Sequence, residues 1–247
     1  MTVNKSDGSN LITTYDRPGD YLPGNGSSFA EQMLSDDVIT PVIEQRTLIS
    51  RNGTLRLISG TFTNYQKYNS SYWRPNMVYQ LEAPAPLSDL TRSSFSSAGV
   101  PVIHPNYKPA AYFDKYDQAS GVLLSRHLAD GAPESYFWGY NNQYPIAKVA
   151  GADYDAAKQF VDVALLNNPA TSQGQLQTEL NKLRTADGIK NALVTTFTFS
   201  PLVGMTSTRD AKGETTIYDF DEFQRLINIR DKDGNITKHT DYHYLGQ

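Results

Sequence analysis

From Val42 onward the chain alternates β-branched or aromatic residues with polar ones, the period of strands that bury one face. Val42–Ser50 and Thr54–Tyr65 flank Asn52-Gly53, a pair that accepts the positive φ of a type I′ turn, so a hairpin is expected there. Trp73–Leu81 alternates in the same way and is followed by the polar stretches APAPLSDL and SSFSSAGVP, which read as a surface excursion. Ala111–Asp117, Val122–Leu128 and Glu134–Tyr140 continue the series. The sheet is therefore expected to grow by adding antiparallel neighbours.

The period changes to a helical one between residues 150 and 190. Asp153 is placed to cap a helix with Tyr154, Ala157, Val161, Ala164 and Leu165 on one face, ended by Asn167-Asn168-Pro169. Thr171 or Ser172 caps a second helix, whose Leu176, Leu180 and Leu183 recur at helical spacing up to Asp187-Gly188. That stripe reads as a face packed on the sheet, with a partner groove as the alternative. Beyond it, Gly204–Tyr244 carries two turn signals, Asp210 to Gly213 and Asp231 to Gly234, each followed by a Thr/Ile/Tyr-rich strand. Their glycines stand 21 residues apart, which reads as one repeated strand-turn-strand unit.

Residues 1–37 are rich in Gly, Ser, Asn, Asp and Pro and predict little regular structure. The exception is Ser28-Phe29-Ala30-Glu31, which has the spacing of a capping box and predicts one or two helical turns through Leu34. A loop-rich opening that runs straight into strands reads as a piece of a longer chain. The expected organisation is this opening segment, an antiparallel β region over 38–149, a helical hairpin over 150–190 and a second β region over 191–247.

Composition narrows the function classes. The chain has 247 residues, enough for one large β unit or two ordinary domains, and its hydrophobic fraction of 39 % with 16 Tyr, 17 Gly and 13 Pro suits many short strands and turns. A net charge of −4 without a dense Lys/Arg cluster argues against a nucleic-acid partner. No apolar run approaches the roughly 20 residues of a membrane span, and the N-terminal MTVNKSDGSN has no hydrophobic segment of signal-peptide type. With no cysteine, disulfides and thiolate metal sites are excluded.

Catalytic patterns are absent: no GxSxG, HExxH, phosphate-binding glycine loop or dinucleotide fingerprint occurs. No catalytic residue, cofactor or metal is expected. His104, His127, His239 and His243 are the four histidines; an extended segment would set His239, Asp241 and His243 on one face, a geometry that admits a metal but lacks a fourth donor. Asp231-Lys232-Asp233-Gly234-Asn235 lacks the twelve-residue ligand pattern of a calcium loop and reads as a hairpin turn. Asp114, Asp117 and Asp130 would serve a hydrolase only if two of them converged in a cleft. Aromatic residues interleave two strand groups, Tyr65, Tyr68, Tyr72, Trp73 and Tyr79, then Tyr136, Trp138, Tyr140 and Tyr144. Exposed together, Tyr65, Trp73, Tyr136, Trp138 and Tyr140 would form a stacking platform for glycans or a protein surface. Paired across strands, they would hold the sheet together.

The repeat-bearing stretch also carries a resemblance. Tyr218-Asp219-Phe220-Asp221-Glu222-Phe223-Gln224-Arg225-Leu226 followed by Asp231-Lys232-Asp233-Gly234-Asn235-Ile236 resembles the tyrosine-aspartate (YD) repeat of the Rhs family, roughly Y-D-x-x-G-R-L then D-x-x-G-N. Gln224 stands where the family has Gly, so the turn there needs a residue tolerating positive φ less well, or a different turn type. A weaker copy comprises Tyr116-Asp117, Gly121 and Leu123, then Asp130-Gly131, with Leu123 eight residues before Gly131 as Leu226 is before Gly234. Tyr136–Ala147 (YFWGYNNQYPIA), Gly60–Tyr65 and Thr195–Ser207 are similar to segments of very large Rhs/YD-repeat envelope proteins of Bacteroidota-type bacteria, and the likeness spans residues 38–247. It implies antiparallel sheets wound into a hollow shell, which in toxin members encloses an effector; the DPxGxxD motif of those members is absent. The expected function is thus a non-enzymatic closing segment of such a shell in an exported or cell-surface protein, partnered by the rest of a longer chain. The alternative is an adhesin that binds glycans or other surface proteins through its aromatic face.

Overall fold

The computed structural model describes residues 1–5, 8–22 and 26–243. Pro23, Gly24 and Asn25 of the opening loop and Tyr244 at the end of the repeat-bearing stretch lie outside the described residues. The fold is mainly β, and the described residues form fourteen strands ordered along one antiparallel sheet and a separate two-stranded ribbon. Two compact units are distinguished, residues 1–121 with 127–130, and residues 122–126 with 131–247.

The first unit contains β1 (Thr2–Asn4), β2 (Asn10–Asp16), α1 (Phe29–Ser35), β3 (Glu44–Arg51), β4 (Thr54–Tyr68) and β5 (Tyr72–Leu81), the ribbon β6 (Ser94–Phe95) and β7 (Pro101–Val102), and β8 (Tyr107–Tyr116). The expected hairpin forms, with Asn52 and Gly53 at φ 50° and 77° between the paired residues Arg51 and Thr54. Ser28 caps α1, its Oγ accepting from the Glu31 amide while the Glu31 carboxylate accepts from the Ser28 amide. The polar opening segment is not loop throughout: β2 pairs with β3 along its whole length, from Asn10↔Ser50 to Asp16↔Glu44. Ile12, Thr13, Thr14 and Tyr15 carry strand propensity, but the Gly-, Asn- and Pro-rich residues around them mask it, and the long-range ladder with β3 fixes the strand.

One face of this unit buries Ile43, Leu48, Leu57, Phe62 and Leu81 together with Ala30 of α1. A polar network is buried beside them. Glu44, 1 % exposed, accepts from the Tyr107 hydroxyl at 2.8 Å and from the Ser93 amide at 2.9 Å, which ties the Pro-punctuated excursion to the sheet. Arg46 lies alongside, donating to the Leu90 carbonyl at 2.9 Å and to Asp16 at 3.3 Å. Arg92 reaches the other Asp16 oxygen at 3.5 Å and stacks over Tyr21. Burial, followed by the Glu44 charge, raises the Tyr21 and Tyr107 phenols far above their ordinary value, so both stay neutral, Tyr107 as the donor to Glu44.

The second unit contains β9 (Leu123–Leu128, whose last residues count with the first unit), β10 (Glu134–Gly139), β11 (Tyr144–Ala150), α2 (Tyr154–Lys158), α3 (Val163–Asn167), α4 (Gln173–Thr185), β12 (Leu193–Ser200), β13 (Gly204–Arg209), β14 (Thr215–Phe220), β15 (Leu226–Arg230) and β16 (Ile236–His239). Ser172 caps α4, and Leu176, Leu180 and Leu183 are all buried with Phe137, Ile146, Val149 and Val194 of the strands. The leucine stripe is therefore a core face. The single helix expected after Asp153 is two: it stops at Lys158 and restarts when Asp162 accepts from the amides of Ala164 and Leu165. The buried carboxylate of Glu179 takes the Asp162 amide at 2.7 Å and fixes the break. The interruption turns Leu166 into the core, 1 % exposed, where uninterrupted spacing had placed Ala164 and Leu165. Helical cover ends with β12, and from Ser200 to His243 no residue is buried.

Tyr107→Phe should remove the hydroxyl that satisfies buried Glu44 and cost about 1.5–3 kcal/mol by urea denaturation. A Cβ at Gly60 would lie 2.2 Å from that same hydroxyl, so Gly60→Ala should destabilise by displacing Tyr107, and the two costs should fall short of adding.

Candidate functional site

The feature that sets the second unit apart is a series of turns closed by aspartate. Asp210, Asp221 and Asp231 stand eleven and ten residues apart and make the same bonds. Each carbonyl accepts from the amide three residues on, at 3.1, 2.9 and 3.1 Å, and each amide donates to the carbonyl four residues on, at 3.0, 2.9 and 3.0 Å. One carboxylate oxygen of each then accepts two further amides, those of Lys212 and Glu214, of Phe223 and Arg225, and of Asp233 and Asn235. The fourth residue of each turn has positive φ: Gly213 at 91°, Gln224 at 62° and Gly234 at 86°. Hydrogen bonding holds the Asp221 and Asp231 carboxyls below the usual range, led by the Arg225 side chain in one and the Asn235 side chain in the other.

The spacing of Gly213 and Gly234 marks two of these turns and hides the third, because Gln224 occupies the left-handed position. The signal for it is Asp221 itself, midway between the other two. The upstream likeness is looser: Asp117 accepts from the Ala119 and Ser120 amides, but its carbonyl takes the amide of Gly121, so that turn is one residue longer. Gly131 lies exposed in the connection between β9 and β10.

Between the turns, one face of the strands is a chain of polar bonds. Arg230 and Asn228 donate to Asp219 at 2.5 and 3.3 Å, and His239 lies between Asn228 Oδ1 at 2.7 Å and Asp241 at 2.9 Å. β16 ends at His239, so the strand alternation that aligned His243 with His239 and Asp241 does not extend that far. No cluster of three metal-ligating side chains occurs among the described residues. Asp114 bonds the His127 ring, which stacks on Tyr112, while Asp117 serves its own turn and Asp130 lies exposed on the surface. His104 sits 3.7 Å from Asp89.

The five aromatic residues proposed for a platform are divided between the units. In the first, Trp73 is buried and donates its indole N–H to Asp36 at 2.6 Å, and half-buried Tyr65 donates to the Val42 carbonyl and packs on Phe29. In the second, Trp138 and Tyr140 pack against the core, Trp138 donating to the Leu123 carbonyl. Tyr140 begins a left-handed turn with Asn141 and Asn142, at φ 52°, 60° and 59°, held by the Asn167 side chain, while its hydroxyl accepts from the Phe199 amide. Tyr136 instead donates to Glu134, which also binds Arg126 at 2.9 Å and Lys148. Burial would raise the Glu134 carboxyl, but bonds from Lys148, Tyr136 and Arg126 outweigh it and hold the group at about 2.

No protein-family model and no curated protein sequence matches the chain. A crystal structure described as TcdB2-TccC3-TEV aligns with 98 % of this chain and 12 % of its own, at 13 % identity and a TM-score of 0.26. The chain thus spans about an eighth of that protein's length, and at this score the likeness is weak. Among the described residues no helix is long and apolar enough to cross a membrane.

Gln224→Gly should stabilise the chain by about 1 kcal/mol, because it relieves a side chain held in the left-handed region, whereas Gly234→Ala should destabilise it by a similar amount; thermal unfolding separates the two signs. Glu134→Gln should lower stability at neutral pH by about 1–3 kcal/mol. Because the folded carboxyl titrates near 2 rather than at its ordinary 4.5, this contribution is present above 4.5 and lost as pH falls toward 2, so the melting curves of the two proteins should converge over that window.

Proposed function

We propose that the chain is a non-enzymatic scaffold, a segment of a YD-repeat-type β shell in an exported or cell-surface protein. The observation that carries this reading is the stretch from Ser200 to His243, where four successive strands contain no buried residue yet three turns repeat one bonding pattern. A sheet without a covering layer has little hydrophobic drive of its own and leaves an edge open to further pairing. Repeated turns at near-equal spacing are what such a sheet needs to extend strand by strand within a longer chain, each hairpin stabilised by its neighbours. The likeness of Tyr218–Ile236 to the YD repeat agrees with that role, and the aromatic side chains act in it as internal struts rather than as a binding face.

Amide hydrogen exchange on the isolated chain tests the proposal. Protection is expected to be high over β10–β12 and α4 and to fall progressively from β13 to β16. Protection of β16 equal to that of β11 would mark an autonomous domain and remove the scaffold reading.

A further inference from the structure

Where α4 ends against the turn after β13, three cations surround a pocket of about 190 Å³ whose lining includes no acidic side chain: Arg184, Arg209 and Lys212. Among the described residues none of the three forms an ion pair. Arg184 donates to the carbonyls of Asp210 and Arg209, at 2.7 and 2.9 Å, and to Thr196 at 3.3 Å, while its Nε is buried without a protein acceptor. Arg209 donates to the Gly213 carbonyl and to Asn181 Oδ1. Neutral oxygens of the backbone and of Asn181 orient these guanidinium groups, and the Asp210 charge offsets that of Arg184 only in part. Asp210, the carboxylate that acts on Arg184, spends one oxygen on the amides of Lys212 and Glu214, and Glu214 itself is paired with Lys232. Burial, and then the facing Arg209 charge, lower the Arg184 pKa below its ordinary value, against the smaller opposing effect of the Asp210 charge.

Arg209 and Gly213 also line a second cleft of about 280 Å³ between α4 and β12–β14. Hydroxyls and amides dominate its walls: Gln177, Asn181, Thr196, Thr198, Ser207 and Thr215, with Leu180 below. Such walls match a polyhydroxylated chain, and the adjoining cationic pocket matches an oxyanion, since guanidinium groups bind carboxylate and sulfate by paired, charge-assisted hydrogen bonds. Arg209 borders both cavities. We propose that the two cavities form one binding site for an acidic saccharide, with the anionic group held by Arg184, Arg209 and Lys212 and the neighbouring sugar ring in the hydroxyl-lined cleft. This site is independent of the scaffold reading and of the aromatic residues.

The test is a titration of the ¹⁵N-labelled chain with trigalacturonate, neutral maltotriose and sodium sulfate at constant ionic strength, followed by NMR. Trigalacturonate should cause saturable shifts at the amides of Lys212–Glu214 and at the arginine Nε resonances, with sulfate weaker and maltotriose inert. Arg209→Gln and Lys212→Gln, both at exposed positions, should each weaken trigalacturonate by about tenfold or more while the remaining spectrum stays that of the folded chain. The proposal is overturned if no saturable shift occurs at these residues, if both variants bind as the native chain does, or if sulfate binds as tightly as trigalacturonate.

Discussion

A β-sheet is held firmly only where something dry lies against one of its faces, and this constraint orders the rest of the molecule. In the second unit the cover is the row of short helices ending in α4, whose leucines lie over β10–β12 and bury Phe137, Ile146 and Val149. Each fully buried side chain of that kind contributes roughly 1.5–3 kcal/mol, so the covered strands have ample drive. In the first unit the cover comes from α1 and from the long excursion after β5, which a buried carboxylate fastens to the sheet. A polar anchor at that place selects one docking of the excursion over sliding alternatives, because Glu44 is satisfied only when Tyr107 and the Ser93 amide both reach it.

Beyond β12 the cover stops, and the means of holding strands together changes accordingly. Hairpins there are closed twice, by the backbone and by an aspartate carboxylate that gathers two amides. Their strands are joined laterally by short polar bonds such as Arg230 to Asp219 rather than by buried area. Partly exposed bonds of this type contribute modestly one by one. Their merit is that they are local: each turn and its flanking strands need only the next hairpin, whatever lies further away.

That difference in range explains what could be read from the sequence. The Asn52-Gly53 hairpin, the Ser28 and Ser172 caps and the leucine stripe of α4 were legible because each is decided within a dozen residues. Two of the three aspartate turns were legible for the same reason, and the third was obscured only by Gln224, which adopts a glycine-like φ because the bonds of Asp221 and Arg225 enclose it. β2 was missed because the Gly-, Asn- and Pro-rich residues around residues 11–15 read as loop, while the pairing that fixes the strand comes from β3, 28 to 40 residues away. The break between α2 and α3 was not legible, since it is set by Glu179 of a different helix. The aromatic residues were visible as a pattern, but whether they face solvent or a partner depends on distant acceptors such as Asp36 for Trp73 and Leu123 for Trp138.

The same reasoning bears on where function can reside. An uncovered, locally stabilised sheet suits extension, because adding a hairpin changes little behind it; it suits recognition poorly, because few side chains there are fixed by packing. One set of fixed polar side chains of the second unit lies where α4 meets β12 and β13, with Arg184 held by two carbonyls and Thr198 bonded to Thr206 and Ser207. There a helix presents cationic and hydroxyl groups against a strand whose own side chains are anchored. Ligand selectivity requires that kind of preorganisation, so the proposed binding role fits the margin of the covered region, and the proposed scaffold role the strands beyond it.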